Sequence, residues 1–88
     1  MKEMSVTIVN RLGMHARPAA LFVKTADKFK AQIWVRKDDL EVNGKSIMGV
    51  MMLAAEPGSS LFLKANGPDE AAALVALAKL VADKFNED

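Results

Sequence analysis

The chain has 88 residues, and its 12 Lys and Arg nearly balance 11 Asp and Glu, which describes one small domain (residues 1–88) with a single core and excludes the strongly basic surface of a nucleic-acid binder. With no cysteine and one histidine, disulfides, thiolate zinc sites, a Cys nucleophile and a His-rich metal site are all excluded, and the absence of Cys fits a reducing cytoplasm. The longest apolar run, residues 71–78, falls well short of the roughly 20 residues that cross a bilayer, so no membrane insertion is expected.

In chain order, Met4, Val6 and Ile8 alternate with Ser5 and Thr7, predicting a strand with one buried face. Residues 10–13 read as a turn. From Ala16 onward, Ala19, Phe22, Val23, Ala26 and Phe29 recur at helical spacing, predicting an amphipathic helix that ends near Lys30. Ile33 and Val35 alternate with Gln32, Trp34 and Arg36 in a second strand. Lys37-Asp38-Asp39 turns tightly into a third strand over residues 40–42. Asn43-Gly44 breaks that strand, and Ser46 is a good N-cap for a short helix reaching about Ala55, where Glu56-Pro57-Gly58 stops it. In this helix Ile47, Val50, Met51 and Ala54 suit the core side, leaving Met48 and Met52 nearer the outside. Leu61, Leu63 and Ala65 mark a fourth strand, alternating with Phe62 and Lys64. After the turn at Asn66-Gly67-Pro68, a final helix carries Leu74, Leu77, Ala78, Val81 and Phe85 on one face.

The order β-α-β-β-α-β-α, with one apolar face per strand, predicts an α+β fold: an open-faced β-sandwich whose four-stranded, mainly antiparallel sheet carries three helices on one face. Trp34 and Phe62 fall on the outward face, where they either pair across strands or leave Trp34 to fill a rim of the core.

The chemistry concentrates at Gly13-Met14-His15-Ala16-Arg17-Pro18-Ala19. His15 falls at the N-cap of the first helix, a position that Ser, Thr, Asp or Asn would serve better, so local helix stability does not account for it. A helix start presents unpaired N–H groups and a partial positive charge, which together favour an anion. Histidine is a competent covalent nucleophile. A phosphoryl group on the His15 ring would lie against the amides of Ala16 and Arg17, within reach of the Arg17 guanidinium. Phosphoryl transfer needs mainly positioning and charge stabilisation. No P-loop, carboxylate pair or Ser-His-Asp set is present, so the chain reads as a carrier of the group, with no metal or cofactor, rather than a free-standing enzyme.

This segment, together with Gly44-Lys45-Ser46-Ile47-Met48-Gly49-Val50-Met51, closely resembles HPr, the histidine-containing phosphocarrier family of the bacterial phosphoenolpyruvate-dependent sugar phosphotransferase system, over essentially the whole chain. The resemblance implies that His15 accepts a phosphoryl group on Nδ1 from phosphorylated enzyme I and passes it to enzyme IIA domains for sugar uptake. It implies that Arg17 steadies the phosphate. Ser46 matches the serine that a dedicated kinase and phosphorylase control in many bacteria, slowing transport or recruiting a transcriptional regulator. On residue chemistry alone, capping suffices as the full account of Ser46. The presence of His15 separates the chain from HPr-like regulators in which that residue is replaced. Residues 54–57, Ala-Ala-Glu-Pro, depart from the glycines or other small residues of many relatives.

A docking surface is expected around His15. Arg17, Ala20, Leu21 and Lys24 form a second stripe of the first helix, placing Leu21 outside the core, and Pro18 opens it. Ile47, Met48 and Met51 add apolar area, rimmed by Lys24 and Lys45. A free docking face favours a monomer. Two alternatives stay open: a carrier of a nitrogen-related phosphotransferase branch, and a small adaptor or regulatory domain without phosphate transfer.

Overall fold

A computed structural model describes residues 1–86. Its elements are β1 (Lys2–Thr7), α1 (Ala16–Ala26), β2 (Gln32–Lys37), β3 (Leu40–Asn43), α2 (Ile47–Met52), β4 (Ser60–Asn66) and α3 (Glu70–Ala82), followed by a short turn of helix at Lys84–Asn86. The four strands form one sheet in the order β1-β4-β2-β3, and every neighbouring pair is antiparallel. Period-two alternation drives this arrangement. Ile33, Val35, Leu61, Leu63 and Ala65 point into the core with Ala19, Phe22, Val23 and Ala26 of α1 and Leu74, Leu77 and Val81 of α3. The predicted open-faced α+β architecture is the one observed.

On the open face, register settles the place of the aromatics. Trp34 lies opposite Lys64 and Phe62 opposite Arg36. The Arg36 guanidinium sits 4.4 Å from the Phe62 ring centre and the Lys64 ammonium 5.0 Å from that of Trp34. Each aromatic is thus faced by a cation rather than by the other ring. Lys64 also approaches Glu41 at 3.3 Å.

Both predicted helix ends overran. α1 stops at Ala26, short of Lys30: the amides of Lys28 and Phe29 bond back only three residues, to Thr25 and Ala26. Those of Lys30 and Ala31 leave the helix path to donate to the two carboxylate oxygens of Asp69, at 2.8 and 2.9 Å. Phe29 is half-buried beside the core rather than part of the helix. α2 stops at Met52, short of Ala55: Leu53 and Ala54 donate to carbonyls three residues back, and Ala54 then takes a left-handed backbone with φ 48°. Phe85, predicted on the core face of the last helix, does reach the core. It does so from a turn in which Lys84, Phe85 and Asn86 all have φ between 55° and 61°. Such backbone costs roughly 1–2 kcal/mol per non-glycine residue, and burial of the Phe85 ring offsets it by about 1.5–3 kcal/mol.

Candidate functional site

His15 is the N-cap of α1. Its backbone is extended (φ −86°, ψ −170°), and its carbonyl accepts the first helical bond, from the Ala19 amide at 3.0 Å. Its half-buried side chain forms no capping bond to the helix. The position therefore holds a residue that does not do what N-cap side chains do. Pro18 has no N–H, so the first-turn donors ahead of Ala19 are the amides of Ala16 and Arg17. No acidic residue stands in that turn to neutralise its positive end. Ala16 and Arg17 are both exposed. An anion placed over the start of α1 meets two N–H groups and the positive end of the helix, and the exposed Arg17 stands in the same turn.

The approach to His15 is held from outside α1. Met14, itself buried, donates its amide to the Ala55 carbonyl at 2.8 Å, and the His15 amide bonds to the Gly13 carbonyl at 3.0 Å. Gly13 has φ 72°, and a Cβ there would lie 2.4 Å from the Ala55 oxygen. Only glycine accommodates both the left-handed turn and that close approach. The buried Asn10 side chain donates to the Gly13 carbonyl at 2.7 Å, fixing the turn from beneath. Sequence reasoning missed Asn10 and Ala55. Asn10 reads as an ordinary turn residue, and a backbone carbonyl forty positions from His15 leaves no sequence signal.

Ser46 is the N-cap of α2, its hydroxyl accepting the Gly49 amide at 3.0 Å, as predicted. Around it the predicted docking residues divide. Ala20 and Lys24 are exposed. Leu21 is not the exposed apolar residue expected; it is half-buried and packed against the core. Pro18 is buried, its ring enclosed at the start of α1, so it offers no surface. Lys45 does not rim a patch either, because its ammonium is half-buried and donates to the Phe29 carbonyl at 2.7 Å.

The assignment of faces on α2 also changes. Ile47 and Met51, expected inside, are 45 % and 42 % exposed, and Ala54 is exposed; Met48 and Met52 are outside, as expected, at 76 % and 64 %. Val50 and Leu53 alone carry the inner side of this segment. A six-residue helix has less than two turns, so a line of one residue per turn is all that the core receives. What remains is a continuous apolar outer surface of Ile47, Met48, Met51 and Met52.

The family profile described as the PTS HPr component phosphorylation site matches residues 2–83. The phosphocarrier protein HPr of Neisseria meningitidis serogroup A is 49 % identical, with 99 % of this chain and 98 % of that protein covered. The crystal structure of HPr-C-His from Thermoanaerobacter tengcongensis superposes with a TM-score of 0.96 at 53 % identity, covering 100 % and 99 % of the two chains. Crh, the Bacillus subtilis catabolite repression protein described as a swapped dimer, gives 0.77 at 43 % identity, with 96 % and 97 % covered. A profile built around a phosphorylation site, full-length relatives of one kind, and a histidine set uncapped at a helix start lead to one assignment. The chain belongs to the HPr family, the phosphocarrier proteins of the phosphotransferase system.

Proposed function

We infer that the protein carries a phosphoryl group on His15, accepting it from phosphorylated enzyme I and passing it to enzyme IIA domains in the cytoplasm for sugar uptake. The observation that carries this reading is His15 itself, at the head of α1 without capping it, beside Arg17 and a first turn free of acidic side chains. In the transfer, a ring nitrogen attacks phosphorus, a P–N bond forms, and the bond from phosphorus to the donor breaks. The amides of Ala16 and Arg17 and the Arg17 guanidinium bind the oxygens. Because the same groups bind the oxygens on arrival and departure, the carrier stabilises the group without trapping it. The face of α2 docks the partners, and as a monomer the carrier keeps that face free.

The test mixes the protein with phosphoenolpyruvate, Mg²⁺ and an enzyme I of proven activity, then seeks one acid-labile phosphoryl group by mass spectrometry and ³¹P NMR. Label on the wild type and none on His15→Ala is the expected result. Label that persists on His15→Ala would refute the assignment of the residue.

Ser46 supports a second, compatible role. A phosphoryl group on its hydroxyl would stand at the N-terminus of α2, where negative charge is tolerated by the fold, and next to Ile47 and Met48 of the docking face. A kinase acting there would change partner choice rather than folding, weakening docking by enzyme I and offering a handle to a transcriptional regulator.

A further inference from the structure

We propose that Met48 and Met52 form an oxidation site through which hydroperoxides weaken docking on α2. The proposal rests on the reading of α2 as a docking face. With no cysteine, the sulfur chemistry of the chain belongs entirely to its six methionines. They differ in environment. Met14 is 4 % exposed and Met4 is half-buried against the core, whereas Met48, Met1 and Met52 are 76 %, 65 % and 64 % exposed and Met51 42 %; of the exposed ones, Met1 alone lies away from α2. Spaced four apart, these two share one side of α2, with Met51 beside them. Met52 also lies just ahead of the Leu53–Ala55 segment, whose Ala55 carbonyl holds the Met14 amide next to His15.

A thioether in the open is reached by peroxide, and a buried one is shielded. In the reaction the sulfur lone pair attacks one peroxide oxygen. The O–O bond breaks, an S–O bond forms, and the second oxygen leaves as water, or as an alcohol from an organic hydroperoxide. Sulfur is oxidised by two electrons and the peroxide reduced by two. The product replaces a flexible apolar side chain by a polar, chiral sulfoxide at the centre of the docking face. Neither side chain contributes to the core, so the fold is retained. Reduction of both sulfoxide epimers restores the surface.

The experiment treats the intact protein with hydrogen peroxide, maps oxygen addition by peptide mass spectrometry, and measures phosphorylation by purified enzyme I before and after treatment. Met48 and Met52 are expected to oxidise well ahead of Met14. The KM for the carrier is expected to rise about fivefold or more with kcat little changed, and to recover after treatment with both classes of methionine sulfoxide reductase. In a Met48→Leu/Met52→Leu variant, compared only with its own untreated form, peroxide should leave KM near its starting value. Equal oxidation of Met14, an unchanged KM in the oxidised wild type, or an equal rise in the double variant each overturns the proposal. If the untreated wild type accepts no phosphoryl group from an enzyme I active on its own partner, the docking reading falls and takes this proposal with it. Labelling before treatment that is undiminished afterwards defeats the oxidation site alone.

Discussion

His15 and Ser46 occupy equivalent positions at the starts of two helices, and only one of them caps. The Ser46 hydroxyl accepts the Gly49 amide, while the His15 side chain makes no such bond to α1. The contrast separates a side chain that stabilises its helix start from one that gives its helix no cap bond. Replacing His15 by Asn supplies a capping oxygen, so His15→Asn should raise unfolding stability by about 0.5–1 kcal/mol while abolishing phosphoryl acceptance. Urea denaturation followed by circular dichroism, beside the enzyme I assay, checks both halves. Ser46 should behave in the opposite way. Ser46→Ala should lose about 1 kcal/mol, and Ser46→Asp, which still presents a capping oxygen, should stay within about 0.5 kcal/mol of wild type. The Asp variant should nonetheless accept phosphate more slowly from enzyme I, and unchanged kinetics would remove the charge-based account of regulation. Both helix-start residues were legible in the sequence because N-cap chemistry is local. Leu21, Pro18 and Lys45 were misplaced because the depth of a side chain depends on what packs over it. In Lys45 the decisive partner, the Phe29 carbonyl, lies sixteen residues away.

At the scale of elements, strand identities were plain from alternation, and helix ends were not. α1 and α2 end in the same manner, with bonds to carbonyls three residues back, but what takes over differs. After α1 the free amides are captured by Asp69, from the far side of the β2-β3-α2-β4 excursion. After α2 the chain turns through a left-handed Ala54 and delivers the Ala55 carbonyl to Met14. Neither captor is visible in the residues that it stops. Ala54 opens the stretch 54–57 in which many relatives were expected to carry glycines or other small residues. Its φ of 48° costs roughly 1–2 kcal/mol, and glycine there would relieve the strain while adding about 0.4–1 kcal/mol of unfolded-chain freedom. Ala54→Gly should therefore stabilise the protein by up to about 1 kcal/mol, read as a higher urea midpoint with unchanged slope. A loss of stability would mean that the backbone strain is smaller than the entropy that alanine withholds from the unfolded chain.

Over the whole molecule, the carboxylates of Asp69 and Glu70 tie together parts that are distant in sequence. Asp69 holds the exit of α1, and the Lys30 amide foremost, with that of Ala31, keeps its carboxyl below the usual range. Glu70 accepts the Gly67 amide and lies 3.1 Å from the N-terminal ammonium at the head of β1. Those two groups, in that order, lower its pKa as well. Both folded-state values lie below the unfolded ones, so the stability they contribute is complete above about pH 5, clear of the unfolded carboxylate range, and is lost as pH falls through the lowered folded values. Denaturation measured from pH 7 down to pH 2 should show this decline. Asp69→Asn, less stable at pH 7 because an amide cannot accept both N–H groups, should decline less over the acid range. Parallel pH profiles for variant and wild type would count against Asp69 as a source of the acid sensitivity. The sheet order β1-β4-β2-β3 belongs to this same scale. Pattern showed four strands with one buried face each, and their neighbours were set by packing between distant segments.

The stacking of Lys64 on Trp34 has a practical consequence for the spectroscopist. Trp34 is the one tryptophan of the chain, and it stands on the sheet face opposite the helices, α1 and its His15 head among them. Its emission, quenched or shifted by the ammonium above it, will report faithfully when the sheet comes apart. It will be nearly silent when a charge arrives at the other side of the molecule. A fluorescence change in a mixture of carrier and partner therefore does not by itself report a charge at His15, and phosphate there is better followed by a nucleus on the imidazole than by light from the indole.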